Sequence, residues 1–111
     1  MKKENLSKIE KVRFSDFALD DLDEILNHIA EFDIEAGNKF IRELVKKFRL
    51  LAENPAIGTA KNELVINLRS FPYKRYNIFY FPTKNGIEIY RVLPASRNII
   101  QVFDDVIDET E

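Results

Sequence analysis

The chain has 111 residues, 45% of them hydrophobic, with 3 Gly and 4 Pro, a composition that folds as one compact domain rather than staying disordered. It has no Cys and one His, which excludes a disulfide frame, a thiolate metal site, a cysteine nucleophile and a histidine-built metal cluster. The net charge of -2 conceals a division: residues 14–35 hold eight acids and no base, whereas residues 61–97 hold seven bases against Glu63 and Glu88.

Taken in order, residues 1–10 are of mixed charge and read as a frayed lead-in with no apolar core like that of a signal peptide. Lys11 to Phe14 reads as a short first strand. Ser15 is placed to cap a helix: its hydroxyl can accept from an orphan amide of the first turn, Asp16 suits the positive end of the helix dipole, and Phe14 and Leu19 form a hydrophobic staple. Ala18, Leu22, Ile25, Leu26 and Ile29 recur at helical spacing as one apolar stripe, and Asp20, Asp21, Asp23 and Glu24 are read as lying outside it. Asp33 caps a second helix, whose stripe is Gly37, Phe40, Ile41, Leu44, Val45, Phe48 and Leu51, with Lys39, Arg42, Lys46, Lys47 and Arg49 on the other side. That helix ends near Asn54, because the residue before Pro55 is pushed out of the α region. The short link at Glu31 to Ile34 makes the two helices an antiparallel hairpin.

Residues 55–62 read as a surface loop, and Leu64 to Leu68 as the start of a second strand. Tyr73 to Phe81 and Ile87 to Leu93, rich in β-branched and aromatic residues, form a hairpin closed by Thr83-Lys84-Asn85-Gly86, whose Asn-Gly pair tolerates positive φ. Pro72 and Pro82 cannot donate to a ladder and mark strand ends or an edge. Ile99, Ile100, Phe103, Val106 and Ile107 predict a last amphipathic helix, and residues 108–111 an acidic tail. The predicted order is β-α-α-β-β-β-α: a single α+β domain over 1–111, with helices on one face of a small antiparallel sheet. No apolar run approaches the roughly 20 residues that span a bilayer, so the reading is cytoplasmic and without membrane contact.

The chemistry-bearing residues gather on the predicted strands: Arg69, Lys74, Arg75, Arg91 and Arg97, interleaved with Tyr73, Tyr76, Tyr80 and Tyr90. Guanidinium forks suit carboxylates on an acidic partner. Arginines and tyrosines on a sheet face can also serve a metal-free ribonuclease, with Arg69, Arg75 and Arg91 stabilising developing phosphate charge and Tyr80 moving a proton. Alternation turns most of the aromatic residues toward packing instead of base stacking. The same caution applies to Arg91, which can pair with an acid of the first helix and would then serve stability. His28, beside the apolar stripe, reads as a flanking residue. No cofactor or metal is expected.

The chain resembles the toxins of the RelE/ParE superfamily, and within it the ParE branch, from Phe14 to about Phe103. The resemblance rests on Ala18-x-x-Asp21-Leu22-x-x-Ile25 in the first helix and Leu51-Ala52-Glu53-Asn54-Pro55 followed by Gly58 after the second. It continues through Leu68-Arg69-x-Phe71-Pro72, Tyr76-x-Ile78-Phe79-Tyr80, and Ile87-x-Ile89-x-Arg91-Val92-Leu93 followed by Arg97. It implies the same fold and a growth-inhibiting toxin of a type II toxin–antitoxin system, neutralised by a ParD-like antitoxin and acting by binding DNA gyrase. Arg69, Arg75, Arg91, Arg97, Tyr76 and Tyr90 are then the expected partner-binding set. The RelE-like alternative is a ribosome-dependent mRNA endonuclease using Arg69, Arg75, Arg91 and Tyr80. Two departures stand out: Pro94 where many relatives carry His, and Asn98 where they carry Asp. They leave room for a degenerate, non-toxic member. An acidic chain with an acidic tail fits a polyanionic substrate poorly, so direct nucleic-acid binding is not expected.

Overall fold

The computed structural model describes Leu6 and residues 8–110, with side chains described as far as Asp104. Strand β1 (Val12–Phe14) leads into helices α1 (Asp16–Phe32) and α2 (Ile34–Glu53); strands β2 (Thr59–Ala60), β3 (Arg69–Tyr73), β4 (Tyr76–Pro82) and β5 (Ile87–Pro94) follow, and helix α3 (Ile99–Thr110) closes the chain.

The caps form as their residue types dictate. Ser15 Oγ accepts from the Ala18 amide at 3.0 Å and donates to the Tyr90 carbonyl at 2.6 Å, so one side chain starts α1 and ties it to β5. Asp33 ends α1 through its own amide, which donates to Ile29 O, and starts α2 through its carboxylate, which accepts from Glu35 and Ala36. One residue between two helices forces them antiparallel. α2 stops at Asn54, before Pro55.

The five strands run in the order β1-β5-β4-β3-β2. The pairs β2–β3, β3–β4 and β4–β5 are antiparallel, while β1 joins β5 in parallel, with Val12 opposite Ile87. The sheet is therefore antiparallel except at its first strand. The helical hairpin carries the chain from β1 to β2 at the far edge, and three antiparallel reversals from there bring β5 alongside β1 in the same direction.

Strand alternation divides the apolar residues between two cores. Ile78, Tyr80, Ile87, Ile89 and Val92 meet Ala18, Leu22 and Ile25 of α1 and Phe40, Ile41, Leu44, Phe48 and Leu51 of α2. Leu68, Phe79 and Leu93 gather with Phe103 of α3 in a second cluster. The third helix thus covers the opposite face, and the expectation of all helices on one face is corrected. A periodic stripe shows that a helix has a face to bury; it does not say which side of a sheet receives it.

Other expectations change in detail. Leu64 to Leu68 is not strand: the amides of Leu64 and Val65 donate to Lys61 O, the Asn67 amide donates to Asn62 Oδ1 at 2.8 Å, and Asn67 has φ of 71°. The predicted loop at 55–62 contributes the short strand β2. Neither Asn85 nor Gly86 takes positive φ. Gly86 is needed because a Cβ there would collide with the carbonyl of Lys11, which accepts from the Ile87 amide at 3.0 Å and holds β1 against β5. Within the lead-in, Leu6 and Ile9 are buried in the main core. Residues 1–5 and 7 lie outside the described residues, as do the side chains of Val106, Ile107 and the acidic tail. Among the described residues no helix is long and apolar enough to cross a membrane.

Candidate functional site

Arg91 sits where β5 carries an extra residue. Phe79 pairs with Arg91 and Tyr80 with Ile89, so the register shifts between Phe79 and Tyr80 and β5 bulges at Tyr90. The Arg91 guanidinium meets Asp21 of α1 in a two-point fork, Nε to Oδ2 at 2.8 Å and an Nη to Oδ1 at 2.9 Å, and the Val92 amide donates to the same carboxylate at 3.0 Å. Both side chains are nearly enclosed, at 12% and 10% exposure, and the Phe17 ring covers the guanidinium at 5.5 Å. The fork to Asp21 raises the Arg91 pKa above its ordinary value, against an opposing contribution from burial. Of the two readings of Arg91 from sequence, internal pairing is the arrangement found. Asp21, read as lying outside the apolar stripe of α1, is buried. Its signal was present in the spacing Ala18, Asp21, Leu22, Ile25, which puts it on the buried stripe.

Arg69 and Tyr80 are also engaged within the fold. Tyr80 is fully buried; its hydroxyl donates to Pro55 O at 2.7 Å and accepts from the Gly58 amide at 2.9 Å. Arg69 donates to Gly58 O at 2.6 Å. Together they fasten the loop after α2 onto the sheet. Burial raises the Tyr80 pKa, offset in part by the Gly58 amide and by the Arg69 charge.

The remaining candidates open outward at the other end of the strands. Arg75 lies in the two-residue turn between β3 and β4, and Arg97 in the turn before α3. Both side chains are exposed, and neither pairs with a carboxylate among the described residues. The Ala95 amide donates to Arg75 O at 2.7 Å, which holds the two turns together. Beside them a groove of about 150 Å³ runs between α1 and the end of β5, lined by Glu24, Ile25, His28, Tyr76, Pro94 and Arg97 among others. Tyr76 stacks edge-on against Phe40. Tyr90 points to the opposite face, where it packs on Phe81 and Phe103. The expected partner-binding set is therefore brought together only in part: Arg75, Tyr76 and Arg97 share one end of the molecule, and Arg69, Tyr90 and Arg91 do not share their surroundings.

A cluster missed in the sequence adjoins this end. Lys74 adopts φ of 54° in the β3–β4 turn and reaches Glu43 of α2 at 3.1 Å, while the Tyr73 hydroxyl donates to the same carboxylate at 2.8 Å. Glu43 is held below the usual carboxylate range, first by the Tyr73 hydrogen bond and then by Lys74. Burial, and then the bond to Glu43, push Tyr73 from 10.0 up to about 12. A phenol whose folded pKa is raised contributes stability in full below its unfolded value and loses it as pH climbs through the folded value. The fold should accordingly weaken between pH 10 and 12, and Tyr73→Phe should flatten that part of a stability-against-pH profile. A profile identical in the two proteins would contradict this. Among the described residues no group of three or more metal-ligating side chains converges.

No curated protein matches the chain. A solved structure described as the chromosomal ParDE TA system from P. aeruginosa is similar in fold, with a TM-score of 0.64 and 18% identity, covering 78% of this chain and 96% of that one. The family model described as the ParE toxin of type II toxin-antitoxin system, parDE, matches residues 12–99, from the first strand to the start of the last helix, and the chain belongs to that family.

Proposed function

We propose that this toxin acts in the cytoplasm by binding, with DNA gyrase as its target, and that a ParD-like antitoxin neutralises it by covering the groove beside Arg75 and Arg97. The observation that carries the binding reading over the nuclease one is the fate of three of the four nuclease candidates. Tyr80 has spent its hydroxyl on Pro55 and Gly58, Arg69 is bonded to Gly58 O, and Arg91 is forked onto Asp21. A general acid and two phosphate clamps that are already engaged inside the fold are poorly placed to meet a scissile phosphate. Arg75 and Arg97, by contrast, are exposed and presented by joined turns, as carboxylate recognition requires.

Expression of the chain without its antitoxin should make cells filament with DNA-damage signalling, and the purified toxin should inhibit supercoiling by gyrase. Cleaved transcripts at ribosome-bound codons with supercoiling intact would overturn the target. Unimpaired growth, with folded protein present, would favour a non-toxic member. Replacing Arg75 or Arg97 by Ala should leave the fold intact and weaken antitoxin binding by about tenfold or more each, as expected for losing a hydrogen bond to a charged group. Calorimetric titration with the antitoxin measures it, and unchanged affinity in both variants would remove this surface from the interface.

A further inference from the structure

The outer side of α2 carries a charge pattern that neither the core nor the groove uses. Lys39, Arg42, Lys46 and Arg49 are exposed and follow one another at intervals of three, four and three residues. At roughly 3.6 residues per turn this is one straight row about 15 Å long. It lies opposite the stripe of Phe40, Leu44, Phe48 and Leu51 that is buried against the sheet.

Rows of like charge on a helix repel, and ordinary helix surfaces relieve this with acids one turn away. Here the acid beside the row is diverted. Glu43 is held by Tyr73 and Lys74, with Lys39 contributing least to its ionisation. Glu35 and Glu53 stand only at the two ends, and none of the four cations forms an ion pair among the described residues. Nor is the row a by-product of a basic chain, since the net charge is -2 and α1 carries acids without a base.

We infer that this row is a second contact surface of the toxin and that it lies along the phosphate backbone of duplex DNA. Proteins that dock on proteins or insert into membranes place aromatic or aliphatic anchors at the centre of the patch. The row has none between its cations; Leu50, at its side, is 38% exposed. A straight line of point charges without anchors matches a line of phosphates, whose contacts give affinity without reading sequence. The low net charge, which argued against nucleic acid, does not bear on a surface where charges of one sign are gathered on one helix. The choice of DNA over RNA rests on the gyrase reading, because that target holds a duplex; the row itself does not depend on it.

The test is fluorescence anisotropy of a labelled DNA duplex with the purified full-length toxin and no gyrase present. Binding should occur with a dissociation constant of about 10⁻⁴ M or tighter at 50 mM salt and weaken about 150-fold by 200 mM, the slope expected for four phosphate contacts. The quadruple variant Lys39→Gln, Arg42→Gln, Lys46→Gln, Arg49→Gln should lose that binding while keeping the thermal unfolding transition, and Lys84→Gln, on the β4–β5 turn, should change neither. Absence of binding, binding that survives in the quadruple variant, or tighter binding to an RNA duplex of the same length would each overturn the inference. Gyrase inhibition is read in a separate assay, so failure of this surface and failure of the proposed target give different results.

Discussion

Arg91→Ala should lower the stability of the fold by about 3–5 kcal/mol, the usual cost of removing one partner from an enclosed ion pair. The geometry explains the size. Asp21 accepts three hydrogen bonds, two from the guanidinium and one from the Val92 amide, and its side chain is only 10% exposed. Without Arg91 the carboxylate stays between α1 and β5 with one amide for company. The loss is a large part of the stability that a domain of this size has in total, so the variant would fail to poison cells for want of folded protein. Denaturant unfolding separates the two roles. If Arg91 serves the fold, the midpoint drops for Arg91→Ala, and Asp21→Leu combined with Arg91→Met recovers much of it. That recovery should fall short by about 1–3 kcal/mol, because the Val92 amide is left without its acceptor. If Arg91→Ala unfolded like the parent protein yet lost toxicity, the guanidinium would belong to the interface after all. Because Asp21 raises the folded pKa of Arg91, the guanidinium's share of this contribution is lost only as pH rises above the ordinary arginine value.

The caps and helix stripes were legible because they are local. Ser15, Asp33 and Asn54-Pro55 act on residues within a turn of themselves, and the stripes of α1 and α2 meet the same sheet that their periodicity required. Leu64 to Leu68 misled because a short apolar run reads alike in a strand and in a packed turn, and here Asn62 and Asn67 close the turn instead. Gly86 was rightly singled out for the wrong reason: its neighbour in space, Lys11, is invisible in a local reading of a hairpin.

The site was legible as a set of residues but not as an arrangement. The sequence allowed Arg91 an acid of the first helix without naming which one; Arg91 is paired because Asp21, 70 positions earlier, is carried to it by the packing of α1 on β5. Lys74 shows the same limit, since its partner Glu43 lies on another element. What local chemistry does give is capacity. Five guanidinium or ammonium groups near the strands guaranteed that some would need acids, and the fold supplied carboxylates to Arg91 and Lys74, a backbone carbonyl to Arg69, and solvent to Arg75 and Arg97.

Gly58→Val should cost about 2–5 kcal/mol and bears directly on the choice between binding and nuclease action. A Cβ at position 58 would lie 2.8 Å from Tyr80 Cε1 and 2.9 Å from Ser70 O, and would collide with the Tyr80 hydroxyl. Ser70 belongs to β3 and the Tyr80 ring is enclosed in the core, so neither yields without moving a strand. Forcing them apart breaks the bond from Gly58 to Tyr80 and displaces the Gly58 carbonyl that accepts from Arg69. Tyr80→Phe is the gentler companion: it removes the hydroxyl alone, leaving the Pro55 carbonyl and the Gly58 amide unsatisfied at about 1–3 kcal/mol. If Tyr80 fastens the loop, Tyr80→Phe lowers the unfolding midpoint and still inhibits growth at a temperature where it remains folded. If Tyr80 moves a proton in RNA cleavage, the same variant is folded and inert, and that result would return the toxin to the enzymes.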